Sequence, residues 1–202
     1  MGTFHFKAFS VADDRSAMKI GTDGVLLGAW AEAPQGVASV IDIGAGSGLI
    51  SLMMAQRYPG ATIHAVEIDP DAAADALDNF NASPWAGRIA LSVADASEWS
   101  ELSPVLPGPR LIVSNPPFFN ETLRSPSAQR AMARHDGSLN PLSLVRLASR
   151  LMTDSTDRLA FIAPSARDSE IEFELSLHGL SPIHVCSVST ARARLPTELF
   201  GA

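Results

Sequence analysis

Two stretches of the chain carry residue types whose spacing suits chemistry on a small, flat group. The first is Leu111-Ile112-Val113-Ser114-Asn115-Pro116-Pro117-Phe118, an apolar run that ends in an amide, two prolines and an aromatic. A conjugated amine that attacks an electrophile becomes more positive in the transition state. Its lone pair stays delocalised until acceptors hold its N–H groups. The Asn115 side-chain oxygen and the Pro116 carbonyl are two such acceptors, and Pro116 and Pro117 have no N–H to compete with the substrate. Acceptors fixed where positive charge develops stabilise the transition state selectively. Phe118 offers a face for stacking on a planar ring. No strong base is required, because the proton becomes acidic once the nitrogen is alkylated. As plain structure, the same residues would be a strand stopped by a proline turn.

The second stretch is Asp42-Ile43-Gly44-Ala45-Gly46-Ser47-Gly48. Glycines between a strand and a helix let the backbone turn sharply and approach a ligand. A dinucleotide fingerprint begun at Gly44 would need Gly or Ala at position 49, which holds Leu49. A nicotinamide oxidoreductase is therefore disfavoured. Glu67, followed by Ile68, ends the next strand, where a carboxylate accepts from ribose hydroxyls; NAD would be served equally. Asp95 follows the third strand. Each acid alone reads as a solvated strand end, but three at successive strand ends beside a glycine loop form a nucleotide-binding pattern.

The Asp-x-Gly-x-Gly-x-Gly pattern resembles motif I of the class I S-adenosylmethionine-dependent methyltransferases, and Asn-Pro-Pro-Phe after a fourth strand resembles their amino-methyltransferase motif. The resemblance implies an S-adenosyl-L-methionine cofactor held by Asp42, Gly44, Gly46, Gly48, Glu67, Ile68, Asp95 and Asn115. Asp95 would accept from the adenine amino group, and Asn115, Pro116, Pro117 and Phe118 would be the catalytic segment. The runs Phe6-Lys7-Ala8-Phe9 and Met18-Lys19-Ile20-Gly21-Thr22-Asp23-Gly24-Val25-Leu26 resemble the bacterial tRNA adenine-N6 methyltransferases, as do Asn81-Ala82-Ser83-Pro84-Trp85-Ala86 and Ala193-Arg194-Leu195-Pro196. This likeness covers almost the whole chain. It implies that Lys19, Thr22, Asp23 and Gly24 lie at the methionine end of the cofactor. The implied substrate is a tRNA anticodon loop, met by Phe118, Phe119, Arg124, Arg130 and Arg134. That family commonly has Tyr at Phe118 and Phe119, so stacking is kept and a phenolic hydrogen bond is lost. It also continues for several tens of residues beyond Pro196, so the final antiparallel strand of the sheet is expected to be missing from this chain. Asn-Pro-Pro-aromatic motifs also serve protein glutamine amides and DNA adenines, which are the rival targets. A cofactor-binding interaction module without catalysis would not need Asn115.

The elements that must position these residues alternate. Strand patterns fall at 37–43, 62–66, 89–93, 111–113, 159–163 and 183–188, and helix patterns at 49–56, 70–81, 141–152 and 166–178. Asn140 before Pro141 is a helix start, and Gly179 a helix stop. The alternation predicts an α/β Rossmann-like fold, a mostly parallel twisted sheet with helices on both faces. A single domain is expected, with 37–202 forming the catalytic unit and 1–36 an N-terminal extension packing on the cofactor site. Residues 119–140 lack periodicity, which suits a substrate-facing lid; His135 within it is assigned no catalytic role.

Composition sets the remaining bounds. Over 202 residues, 46% hydrophobic and 18% charged content is that of a globular domain rather than a disordered chain. No apolar run reaches the roughly 20 residues of a membrane span. The single cysteine, Cys186, rules out an internal disulfide and fits a reducing, cytoplasmic setting. A net charge of −7 means that any RNA-binding face must be local, for which Arg124, Arg130 and Arg134, or Arg192 and Arg194, are the candidates. No metal is expected, and the oligomeric state reads as monomer or weak dimer.

Overall fold

The structure is a computed structural model that describes residues 2–102, 106–117 and 139–189. Phe118, Phe119, Arg124, Arg130, Arg134, His135, Arg192 and Arg194 lie outside the described residues, as do Leu195 and Pro196.

Among the described residues, five parallel strands form the central sheet: β3 (Ser39–Ile43), β4 (Thr62–Glu67), β5 (Ile89–Val93), β6 (Arg110–Ser114) and β7 (Arg158–Phe161). Their spatial order is β5-β4-β3-β6-β7. Ahead of them, β1 (Thr3–His5) and β2 (Ser10–Ala12) make a separate antiparallel hairpin. The helices are α1 (Thr22–Trp30), α2 (Leu49–Arg57), α3 (Pro70–Asn81), α4 (Ala96–Leu102), α5 (Pro141–Leu151) and α6 (Asp168–Leu177). None of the described helices is long and apolar enough to cross a membrane.

The central strands are apolar throughout because both faces of the sheet are covered. Val40 pairs in register with Ile63 and Leu111, and Ile41 with Ile112. Since side chains alternate along a strand, the first set points to one face and the second to the other. Val40, Ile63, Leu111 and Val113 pack with Leu27 of α1 and with Ile50 and Met54 of α2. Ile41, Ile43 and Ile112 pack with Leu144, Leu147 and Ala148 of α5. Burying each of these large aliphatic side chains contributes about 1.5–3 kcal/mol.

Local signals mark the element ends, those at Asn140 and Gly179 as the sequence suggests. Asp69 caps α3, its side chain accepting from Asp71 N, with Pro70 in the first turn. Asn140 and Ser143 form a reciprocal capping box at the start of α5. Gly179 takes a left-handed φ of 68° after α6.

Three differences from the sequence-based expectation have physical causes. The strand expected at 183–188 is absent: no ladder forms there, and Ile183, Val185 and Val188 are exposed. Its apolar alternation is real, but among the described residues no strand lies beside it to complete its hydrogen bonds. Helix α4 was not expected, because it is short and its apolar stripe weak. The hairpin β1–β2 is likewise new; it docks through aromatics, with Phe6 stacked on Phe9 at 4.6 Å and Phe9 meeting Trp85 edge-on at 5.6 Å.

At the amino ends of the strands, Asp157 is fully buried and collects four donors. Its Oδ1 accepts from Arg110 N (2.7 Å), and its Oδ2 accepts from Thr153 N (2.9 Å), Asp154 N (3.1 Å) and Arg110 Nη1 (3.5 Å). This carboxylate fixes where β6 begins, and therefore where it ends. Replacing Asp157 by Ala would leave three backbone N–H groups short of an acceptor and remove the counter-charge beside the buried Arg110 guanidinium, which keeps its contacts to Leu106 O, Leu151 O and Thr153 Oγ1. The expected loss is about 3–5 kcal/mol in urea unfolding; a loss below ~1 kcal/mol would show that the network is dispensable.

Candidate active site at the carboxyl ends of the strands

The chain leaves β3 for β4 and β5 on one side, then crosses to β6 and β7 on the other. Strand order thus reverses at β3, and open α/β sheets bind ligands in the crevice at such a switch point. The carboxyl ends of the strands bring the sequence-nominated residues to this edge. Asp42 is the fourth residue of β3, Glu67 ends β4, Asp95 lies two residues beyond β5, and Asn115 follows β6 directly.

The loop between β3 and α2 is a left-handed turn. Gly44, Gly46 and Gly48 have φ of 70°, 56° and 83°. Gly48 is doubly constrained, because an added Cβ would also collide with the ring of Phe80. At Gly46, an added Cβ would meet nothing within 4 Å, so the surface there is open. The loop is pinned to β4 from two directions. Gly44 N and Ala45 N donate to Val66 O at 2.9 and 3.1 Å, and Gly46 N donates to Glu67 Oε2 at 2.7 Å. Glu67 Oε1 accepts from Asp69 N at 2.9 Å. Each carboxylate oxygen keeps a further lone pair, so Glu67 can hold the loop and still accept from a ligand hydroxyl.

Asp42 is fully buried beneath the loop. Its Oδ2 accepts from Ser51 Oγ at 2.7 Å, while its Oδ1 has no partner. Burial pushes its pKa up to about 7, opposed by the Ser51 hydrogen bonds, with Glu67 adding a smaller push upward. Asp95 Oδ1 accepts from Ser97 N at 2.8 Å and from Ser97 Oγ, which turns the chain into α4. Ile68 is exposed beside Glu67. On the other side of the switch point, Ser114 Oγ donates to Ile43 O at 2.7 Å, tying the end of β6 to the end of β3. Asn115 and Pro117 are half-buried and Pro116 is buried.

The run from Lys19 to Gly24 divides. Lys19 Nζ donates to the carbonyls of Asp13 and Asp14, so its ammonium closes a loop of the extension. Thr22 and Asp23 are exposed in the first turn of α1. Gly24 is buried, and a Cβ there would lie 3.3 Å from Leu49, the first residue of α2.

Four polar side chains of this region were not singled out from sequence: Ser51, Ser114, Asp75 and Asn79. For the last two a signal exists. The inner face of α3 is Ala72, Ala73, Asp75, Ala76, Asn79 and Phe80, an apolar stripe at helical spacing interrupted by two buried polar residues. Both reach the N-terminal extension. Asp75 accepts from Arg15 N, Ser16 N, Ser16 Oγ and Arg15 Nε at 2.7–2.9 Å. Burial alone would raise its pKa, but these hydrogen bonds outweigh burial and hold it below the ordinary carboxylate value.

A parallel sheet with a glycine turn at its switch point, acids at successive strand ends and Asn-Pro-Pro after the fourth strand of the β/α unit defines a Rossmann-like methyltransferase domain. The family model of the methyltransferase small domain matches residues 18–140. A Porphyromonas gingivalis protein named tRNA1(Val) (adenine(37)-N6)-methyltransferase is 41% identical over 201 residues, covering 97% of this chain and 78% of that protein. A Klebsiella pneumoniae protein of the same name is 50% identical over 153 residues, covering 75% of this chain and 61% of that protein. Among solved structures, the human methyltransferase 10 domain containing protein matches with a TM-score of 0.55 at 15% identity, covering 85% of this chain and 79% of that chain. This last likeness concerns the fold alone. The chain belongs to the tRNA1(Val) (adenine(37)-N6)-methyltransferase family.

The buried Asp42 carries a pH signature. Its native pKa of about 7 lies above the ordinary 3.8, so between these values the native state holds a proton that the unfolded state releases. Its contribution to stability is therefore present at pH 4 and is lost as pH rises toward and through 7. The ligand-free chain should lose on the order of 1–4 kcal/mol across that window from this group. Asp42→Asn should flatten the decline in urea unfolding at a series of pH values. An unchanged slope in the variant would show that Asp42 is ionised throughout.

Proposed function

We propose that the chain is an S-adenosyl-L-methionine-dependent N-methyltransferase whose target is the exocyclic N6 of an adenine in a tRNA anticodon loop. The observation that carries the chemistry is the position of Asn115-Pro116-Pro117 directly after β6, across the switch point from the glycine turn after β3. The names borne by the P. gingivalis and K. pneumoniae relatives support the choice of adenine in tRNA.

The residues present fit the cofactor. Open space above Gly46 and a Glu67 carboxylate with lone pairs to spare form a polar cradle of the kind a nucleoside would complete, with Asp42 buried beneath the turn. Glu67 would hold the ribose hydroxyls, Asp95 the adenine amino group, and the glycine turn would lie against the cofactor. When bound, S-adenosyl-L-methionine supplies the electrophilic methyl group. The Asn115 side-chain oxygen and the Pro116 carbonyl accept from the two hydrogens of the target amine. This orients its nitrogen and lets the lone pair leave conjugation. The acceptors bind the amine more tightly as it becomes positive, which lowers the barrier. The two prolines keep competing N–H donors out of the turn.

In this reading the extension contributes Gly24 and its neighbours beside the glycine turn, Phe118 and Phe119 stack on the flipped base, and Arg124, Arg130 and Arg134 hold backbone phosphates. A loop adenine enters such a pocket at lower unstacking cost than one in a duplex.

The test is methyl transfer to total tRNA, followed by mass spectrometry of the nucleosides. N6-methyladenosine should form only with both chain and cofactor. Asn115→Ala should bind cofactor normally and lose about 10²–10³ in turnover, as for removal of one transition-state hydrogen bond. Near wild-type turnover would overturn the mechanism. Label in protein glutamine or DNA adenine, with tRNA untouched, would overturn the substrate while leaving the amine chemistry standing.

A further inference from the structure

Asn79 occupies a place that the catalytic reading does not use. It sits on the inner face of α3 at 6% exposure, and its amide touches two separate parts of the chain. Oδ1 accepts from Ala12 N at 2.9 Å. Nδ2 donates to Ala12 O at 2.7 Å and to Ser47 O at 2.9 Å. One orientation of the amide satisfies all three contacts; the flipped one would set its oxygen against two carbonyls and its NH₂ against an N–H. Ala12 ends the N-terminal hairpin, and Ser47 lies between the two left-handed glycines Gly46 and Gly48.

The hairpin is already anchored without the Ser47 contact. Asp75, one turn earlier on α3, holds Arg15 and Ser16 through four hydrogen bonds. The hydrogen bond to Ser47 O thus adds a link between the extension and the glycine turn. From Ala12 the linkage continues. Asp13 Oδ2 accepts from Ile20 N at 2.8 Å, Lys19 Nζ donates back to Asp13 O, and the chain enters α1, whose Gly24 packs against Leu49 beside the turn. The extension and the glycine turn form a closed circuit in which Asn79 is a polar link, beside the apolar cluster that Phe9 and Val11 share with Leu49.

We propose that Asn79 is a positioning residue that couples the extension to the glycine turn, so that a ligand seated on the turn also orders residues 12–24. This rests on the cofactor reading above. Coupling between two sites is reciprocal, so ordering the extension would also tighten ligand binding at the turn.

Hydrogen exchange of the full chain, with and without S-adenosylhomocysteine, reads the coupling at Ile20 and Ser16, whose amides Asn79 does not touch. In the wild type, ligand should slow the turn amides of Gly44 and Gly46 and also slow Ile20 and Ser16 by ~5-fold or more. Asn79→Asp keeps the acceptor for Ala12 N and loses both donors. There the turn amides should still respond, while Ile20 and Ser16 stay within about twofold of their ligand-free rates. Asn79→Leu, which cannot repel the two carbonyls, should behave the same way. Asp75→Asn, which loosens the anchor but leaves the bridge, should keep the ligand response at Ile20. A wild-type response at Ile20 in both Asn79 variants would overturn the coupling, because a merely structural Asn79 lowers protection without removing the response. A wild type in which ligand slows no amide, the turn included, would overturn the cofactor reading itself.

Discussion

The site depends on one carboxylate. Glu67 at the end of β4 accepts from Gly46 N on one side and from Asp69 N on the other. It fastens the turn after β3 to the strand beside it and starts the bend into α3. A charge-assisted hydrogen bond of this kind is roughly twice as strong as a neutral one. Without it, the left-handed turn would keep only its neutral hydrogen bonds, to the Val66 carbonyl and from the Asn79 amide. With it, the open surface at Gly46, the start of α2 and the cap of α3 are set relative to one another at the carboxyl ends of the strands.

Buried polar groups cost stability unless they are paired, and this chain places its buried polar groups where parts of the fold must be joined. Asp157 joins the amino end of β6 to the segment before β7. Ser114 joins the carboxyl ends of β3 and β6, and Asp75 and Asn79 join the extension to α3. Each is satisfied within the protein. Among the described residues two buried atoms have no partner, Arg158 Nε and Asp42 Oδ1, and the second leaves half of a carboxylate unpartnered in a fully buried position directly under the turn. An unsatisfied polar atom at a switch point is the kind of defect that proteins retain for ligands.

Much of this was readable from the chain. The continuous apolar runs around Val40, Ile63 and Ile112 announced a sheet covered on both faces, and Asn140-Pro141 announced a helix start in the correct place. The strand-end positions of Asp42, Glu67 and Asn115 followed from the same periodicity. What escaped had no local signal strong enough to read. Short β1 and β2 are held by aromatic contacts with Trp85, some 76 residues beyond Phe9, and no pattern within the hairpin predicts that partner. The stretch at 183–188 carries a strand-like pattern, yet a strand exists only where a neighbour completes its hydrogen bonds. Asp75 and Asn79 were visible as interruptions of an apolar stripe, but only the fold reveals what they hold.

The central claim is that the surface over Gly46 is where the cofactor rests, and a single methyl group tests it. In Gly46→Ala the new Cβ enters open space, so the free protein should lose only the roughly 1–2 kcal/mol of a left-handed alanine. Gly48→Ala, which drives a methyl into Phe80, should lose more and serves as the reference for damage to the fold. Calorimetry with S-adenosylhomocysteine on Gly46→Ala is the direct measurement. Affinity should fall by ~tenfold or more, about 1.4 kcal/mol, in a protein that is still folded. A Gly46→Ala chain that binds the ligand as tightly as the wild type would contradict the account.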